Sequence, residues 1–299
     1  MTRLLVIRLS ALGDVVHTIP AVLSLRDWYD VSWIVEKPYA ELVRIVAGVA
    51  PIPVQLKRWS LSAIGETRRA ARGFDVVVDF QGLIKSALIA RGAAPLRYGF
   101  AREAVREKPA AFFYNRKIKV DQTKHVVGWN LQLAAALLRN PAETPPRPSW
   151  SAFPQDPQNR LSELTHKIVL LPGAGRLEKL WPFDHFRQLV RHYGERAVVV
   201  WGPGEIDLAR AIGGVLAPPT DLRELAFILQ HAEIVIGGDT GPLHLADALG
   251  ARVVGLYGPT DPRRNGPYSQ LQRVIRPANT MEAIAVDDVV RKIEEVLAS

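Results

Sequence analysis

The sequence contains no cysteine, which excludes disulfides and thiolate metal sites and leaves a cytoplasmic home as the simplest expectation. No apolar run reaches the roughly 18 residues needed to span a bilayer as a helix. The chain opens directly on a strand-like stretch, with no charged, apolar and small-residue cleavage pattern ahead of it. Low-complexity tracts and short repeats are absent, and so are helix-turn-helix, RRM-like and zinc-binding signatures. The dinucleotide fingerprint G-x-G-x-x-G is missing, as is the Gly-Lys-Ser/Thr ending of a nucleotide P-loop. No Asp-x-Asp pair occurs, so a diphosphate bridged through a divalent metal would lack its usual carboxylates.

What is present is enough apolar material for two cores: 299 residues, 48% of them hydrophobic, or about two domains' worth. Charge is unevenly spread. Residues 1–150 carry 22 Lys and Arg against 12 Asp and Glu, whereas residues 151–299 carry 16 against 18, so the net +8 comes entirely from the first half. Arg97, Arg102, Arg106, Lys108, Arg116, Lys117, Lys119 and Lys124 crowd one stretch, and Lys57, Arg58, Arg68, Arg69 and Arg72 form a second group. Such an asymmetry points to a polyanionic partner for the first half, or else to a solvated basic face kept for solubility.

Apolar runs alternate with amphipathic segments along the whole chain. Strands are predicted at 3–9, 31–36, 52–56, 75–80, 96–100, 167–171, 196–201, 233–237 and 252–257. Helices are predicted at 14–28, 38–47, 60–72, 82–92, 125–139, 182–193, 204–213, 221–230, 241–249 and 286–298. Strand–helix alternation implies parallel sheets built of βαβ units, so the expected class is α/β with two Rossmann-like domains. Six prolines between 140 and 160 break the pattern, which sets the expected boundary: a first domain over 1–150 and a second over 151–299. The last helix is a candidate to pack back on the first domain.

One local arrangement occurs near both ends: an apolar strand runs into a small-residue turn holding an acid at a helix mouth. It reads Leu4-Leu5-Val6-Ile7-Arg8-Leu9-Ser10-Ala11-Leu12-Gly13-Asp14 at one end and Ile234-Val235-Ile236-Gly237-Gly238-Asp239-Thr240-Gly241-Pro242-Leu243-His244 at the other. In open parallel sheets ligands lie beyond the carboxyl ends of strands, and helix N-termini suit anions. Asp14 is either an acid favoured by the helix dipole or a general base. Asp239-Thr240-Gly241 could be a plain cap, with Pro242 early in the helix, but Gly237 and Gly238 then call for a further reason, such as the close approach of a ligand. His244 is either a satisfied helix histidine or a phosphate contact. Lys179, in Pro172-Gly173-Ala174-Gly175-Arg176-Leu177-Glu178-Lys179-Leu180-Trp181-Pro182, is either surface charge or a cation for a diphosphate.

Taken in order, these stretches resemble a known family. Ile7-Arg8-Leu9-Ser10-Ala11-Leu12-Gly13-Asp14-Val15-Val16-His17-Thr18-Ile19-Pro20, Lys179-Leu180-Trp181-Pro182, Trp201-Gly202, Gly238-Asp239-Thr240-Gly241-Pro242-Leu243-His244 and Tyr257-Gly258-Pro259-Thr260-Asp261-Pro262 are similar to motifs of the ADP-heptose:lipopolysaccharide heptosyltransferases, glycosyltransferase family 9. Asp79-Phe80-Gln81-Gly82-Leu83-Ile84-Lys85-Ser86 and Phe113-Tyr114-Asn115-Arg116-Lys117 resemble stretches particular to the heptosyltransferase I branch.

The resemblance implies an inverting enzyme of GT-B fold, its two parallel sheets facing a central cleft. It implies ADP-L-glycero-D-manno-heptose as donor and the Kdo of Kdo2-lipid A as acceptor, in lipopolysaccharide inner-core synthesis at the cytoplasmic face of the inner membrane. Asp14 matches the family's base and Lys179 its diphosphate lysine. Asp239, Thr240, Gly241 and His244 match donor contacts; Glu205 and Thr220 are placed at the nucleoside. Ala174 and Gly175 stand where some relatives have threonines, so backbone N–H groups would take the place of hydroxyls. Arg58, Lys85, Arg97, Arg102, Arg116 and Lys117 are the acceptor candidates. No resident cofactor or obligatory metal is expected, peripheral contact with anionic lipid is, and nucleic acid is not a partner. A GT-B enzyme adding a later heptose or using another nucleotide sugar remains the alternative, and a basic nucleic-acid-binding protein a more distant one.

Overall fold

The alternation of apolar runs and amphipathic stretches folds into two parallel sheets in the computed structural model, which describes residues 1–55, 61–142, 144 and 146–299, the side chains of 61–64 and 68 excepted. The chain divides into two compact units, Met1–Ala152 and Phe153–Ser299.

The first unit runs β1 (Arg3–Ile7), α1 (Leu12–Arg26), β2 (Asp30–Glu36), α2 (Ala40–Leu42), β3 (Ala50–Val54), α3 (Leu61–Ala70), β4 (Val76–Asp79), α4 (Ile84–Ala93), β5 (Leu96–Phe100), β6 (Arg116–Ile118) and α5 (Val126–Ala135). Among the described residues its sheet has the order β3-β2-β1-β4-β5-β6, every neighbouring pair parallel. Leu4, Leu5, Val6 and Ile7 of β1 are wholly buried, as a central strand covered on both faces requires. Chain order reverses between β1 and β4, the place where open α/β sheets bind ligands.

The second unit runs β7 (Ile168–Leu171), α6 (Phe183–Tyr193), β8 (Ala197–Val199), α7 (Ile206–Ile212), β9 (Val215–Leu216), α8 (Leu222–Gln230), β10 (Ile234–Gly238), α9 (Gly241–Ala248), β11 (Val253–Leu256), α10 (Pro262–Asn265), β12 (Val274–Ile275) and α11 (Val286–Leu297). Its described strands take the order β12-β11-β10-β7-β8-β9, again all parallel, with the reversal between β7 and β10. Ile168, Leu170, Ile234, Ile236, Val254 and Leu256 pack with Trp181, Phe186 and Leu189 into one core. The last helix contributes Val289, Ile293 and Val296 to the same core, so its apolar stripe is already used within the second unit.

The structure departs from the sequence pattern in places. The edge strands β6, β9 and β12 are two or three residues long, too short to show a period of two. β3 lies two residues before its predicted place and includes Pro51 and Pro53, which an edge strand tolerates. The predicted helix over 38–47 is a succession of a 3₁₀ turn (Lys37–Tyr39), α2 and a π turn (Val43–Ala47) ending on Gly48 at φ 67°. Between Ala135 and Ser162 the described residues form no helix or strand. No helix among the described residues is long and apolar enough to cross a membrane.

Candidate functional site

Each unit gathers its chemistry at its own point of strand reversal. In the first unit β1 leads through Arg8–Ala11, where the Ser10–Ala11 peptide is cis, into α1, which places Asp14 in the first helical turn. The Asp14 carboxylate is 29% exposed; its Oδ1 meets Nη2 of Arg8 at 2.5 Å and its Oδ2 lies 3.7 Å from Nη1 of Arg106. Arg8 is buried, and its Nη1 donates to the Phe80 carbonyl just beyond β4. From the same turn, the Gln81 Oε1 accepts from the amides of Leu9 at 2.9 Å and Ser10 at 3.4 Å.

Beneath this lies a fully buried carboxyl. Asp79, the last residue of β4, accepts from the Tyr114 hydroxyl at 2.6 Å and from the amides of Gln81 at 2.8 Å and Gly82 at 3.2 Å. Burial pushes its pKa up, against the pull of these donors, and burial likewise raises the Tyr114 hydroxyl. Gly99 in β5 makes the contact possible, because a Cβ there would overlap the Tyr114 ring.

In the second unit the loop after β7 and the turn after β10 are tied by charge. Lys179, in the 3₁₀ turn Leu177–Lys179, donates to Asp239 Oδ2 at 2.5 Å, and the other oxygen, Oδ1, lies 3.0 Å from the His244 Nε2. Burial raises the Asp239 carboxyl, but His244 and Lys179 outweigh it and hold the group at about 2. Lys179 remains 24% exposed, so the cation can reach an outside anion. Thr240 caps α9 without a side-chain bond to the helix, and its buried Oγ1 has no partner among the described residues.

The glycines have close neighbours within the chain. A Cβ on Gly237 would come within 2.8 Å of the Leu171 Cβ, and one on Gly238 within 3.2 Å of the Lys179 carbonyl. These two residues are small where β7 and its loop pack against β10, a reason within the chain that stands beside a ligand's approach. Gly173 makes room in the same way for the Glu205 carboxylate, which also accepts from the Gly202 amide at 2.8 Å. Glu205 thus ties the turn after β8 to the turn after β7. Ala174 and Gly175 follow on that β7 loop, and half-buried Thr220 precedes Asp221, the N-cap of α8.

The acceptor candidates divide. Arg102, Arg116 and Lys117 are exposed, and Lys85 is half-buried in the first turn of α4. Arg97 directs Nε to the Phe113 carbonyl at 2.8 Å and Nη1 to those of Ala94 and Pro95 at 3.2 and 3.0 Å, so its first role is to hold the sheet edge. Arg58 lies outside the described residues. Sequence reasoning missed the partners Arg8, Gln81, Asp79 and Tyr114. Their signal in the sequence was their place in the stretches after β1, at the end of β4 and at 113–117 that resemble family motifs.

Residues 67–292 match the sequence profile of glycosyltransferase family 9 (heptosyltransferase). The chain belongs to that family. It is 31% identical over 318 residues to lipopolysaccharide heptosyltransferase 1 of Escherichia coli O18:K1:H7, covering 98% of this chain and 97% of the relative. To lipopolysaccharide heptosyltransferase 1 of Pseudomonas aeruginosa it is 32% identical, covering 90% of this chain and 82% of the relative. Among solved structures, Escherichia coli heptosyltransferase WaaC with ADP superposes with a TM-score of 0.82 at 30% identity, covering 99% of this chain and 100% of that one. WaaC with ADP-2-deoxy-2-fluoro heptose gives 0.80 at 31% identity, covering 98% and 99%. The fold of this family 9 member is thus the α/β GT-B class, and the chain is a glycosyltransferase.

Proposed function

We propose that this enzyme transfers L-glycero-D-manno-heptose from ADP-heptose to a Kdo hydroxyl of Kdo2-lipid A, with inversion at the anomeric carbon. The observation that carries the reading is the pair of strand-reversal sites in a family 9 chain, one offering a partly exposed carboxylate and the other a partly exposed ammonium. Asp14 takes the proton of the acceptor hydroxyl as its oxygen bonds to the anomeric carbon; the bond from that carbon to the diphosphate oxygen breaks, and ADP departs. Negative charge grows on the leaving diphosphate. Lys179 and the N-terminus of α9 at Thr240 and Gly241 favour that charge most where it is largest, in the transition state. Asp239 and His244 hold the lysine, Glu205 and Thr220 serve the nucleoside, and the amides of Ala174 and Gly175 face the phosphates. No metal is required, because Lys179 and the helix end do its work; full turnover in EDTA tests this.

The basic first unit receives the acceptor's carboxylates and phosphates through Arg58, Lys85, Arg102, Arg116 and Lys117. The acceptor is lipid-borne, so the enzyme works at the cytoplasmic face of the inner membrane, held reversibly by basic residues and by Phe112, which is 73% exposed and lies between Lys108 and Arg116 in the sequence. Mass spectrometry of the product from ADP-heptose and purified Kdo2-lipid A decides the activity. A mass gain of one heptose is expected, and no product with this donor while a UDP- or GDP-sugar reacts would overturn it. Asp14→Asn is expected to lower turnover by about 10²–10⁴-fold with ADP affinity unchanged.

A further inference from the structure

We infer that Arg8 is a positioning residue for Asp14, and that it selects which carboxylate oxygen reacts. The inference rests on Asp14 being the base. Arg8 follows β1 directly and is 5% exposed, so its guanidinium has little water around it and its hydrogen bonds are made within the protein. Nη1 is fastened to the Phe80 carbonyl beyond β4 and Nη2 to Asp14 Oδ1 at 2.5 Å. A planar guanidinium fixes both directions at once, which a flexible ammonium does not. The carbonyl of Arg8 is itself held by the Trp33 indole at 3.0 Å, and the next two amides are held by Gln81, so the backbone carrying this side chain is pinned from β2 and from β4.

The consequence is an asymmetry within one carboxylate. Oδ1 is committed to a buried cation. Oδ2 is held far more loosely, paired with Arg106 at 3.7 Å, beyond hydrogen-bond length and on a side chain 55% exposed. Oδ2 is therefore the oxygen left to accept the acceptor's proton. Arg8 does not touch substrate; it keeps the carboxylate from rotating and keeps Oδ1 out of competition. A carboxylate at a helix mouth without this anchor samples several rotamers, few of them aimed at an acceptor.

The test is a double-mutant cycle on Arg8 and Asp14, read as kcat with ADP-heptose and Kdo2-lipid A, with ADP affinity by calorimetry and thermal unfolding measured alongside. Arg8→Met is expected to lower kcat at least about 30-fold while ADP affinity stays within about twofold, and Arg8→Lys to recover part of the loss. In the Asp14→Asn background, Arg8→Met is expected to add less than about a twofold further loss, because its effect runs through Asp14. Losses that multiply in the double variant would overturn the inference, as would an Arg8→Met enzyme with parental kcat. An Asp14→Asn enzyme with parental turnover would instead overturn the base itself. Should Arg8→Met fail to fold, Arg8→Lys carries the same cycle.

Discussion

Replacing Lys179 by Met removes the cation from a carboxylate that remains largely buried, and the structure sets the size of the effect. The Asp239 carboxyl stands at about 2 in the fold against an ordinary 3.8. At about 1.4 kcal/mol per unit, that depression corresponds to roughly 2 kcal/mol, shared between His244 and Lys179. The Lys179→Met variant is therefore expected to lose about 1–2 kcal/mol of stability at pH 7 in urea unfolding, below the full cost of breaking a wholly buried pair because the lysine is partly solvated. The sign of the pH dependence follows from the depressed value. The contribution is complete above 3.8, where the unfolded carboxyl is ionised, and fades as pH falls toward about 2. The stability gap between parent and variant should accordingly narrow as pH is lowered from 7 toward 3. ADP affinity should fall about 10–100-fold in the same variant, the worth of one charge-assisted contact to a diphosphate. A gap as wide at pH 3 as at pH 7 would refute the ionic account, and an unchanged calorimetric ADP affinity would refute the diphosphate role.

The buried acid of the first unit behaves oppositely. Burial raises the Asp79 carboxyl above its ordinary 3.8, so the fold favours its proton and loses stability as pH rises through that value toward the folded pKa. Asp79→Asn keeps an oxygen for the amides of Gln81 and Gly82, and its unfolding free energy should show a flatter pH dependence between pH 4 and 7 than the parent's; an unchanged slope would count against a raised Asp79. Gly173→Ala should push the Glu205 carboxylate off the Gly202 amide and weaken ADP binding several-fold; an unchanged calorimetric affinity would count against the nucleoside role of Glu205. Flotation with vesicles containing anionic lipid should recover the enzyme at low salt and lose it at high salt, with Phe112→Ser weaker than the parent; no flotation at low salt would remove the membrane contact.

The central strands were legible because burial on both faces leaves continuous apolar runs such as Leu4–Ile7 and Ile234–Ile236. β6, β9 and β12 were not, because each is held by a neighbour already in the sheet rather than by a pattern of its own. The candidate acids at the two turns stood out through their spacing from those runs. Their partners did not: Arg8 and Asp14 are six residues apart, but Lys179 and Asp239 are sixty apart, and Tyr114 reaches Asp79 across thirty-five. Such pairs exist only once the strand order brings β1 beside β4 and β7 beside β10. The glycines were only partly legible for a related reason. Gly237 and Gly238 signal a close approach, but sequence alone does not say that what approaches is the chain's own Leu171 and Lys179.

The two units share a strand order, and their difference in chemistry comes down to what occupies the reversal point. In the second unit a lysine bridges from the β7 loop to the acid after β10, and that bridge is partly open, while His244 lies on the acid's other oxygen. In the first unit the equivalent space is filled from within, by the guanidinium of Arg8 against the Phe80 carbonyl and by the amide of Gln81 against the β1 turn. The charge left partly open at this point is the far oxygen of Asp14. One strand order thus carries a buried acid with a partly open base in the second unit, and a buried base with a partly open acid in the first. The sign of the buried partner therefore sets which charge each reversal point leaves open, with no change in strand order.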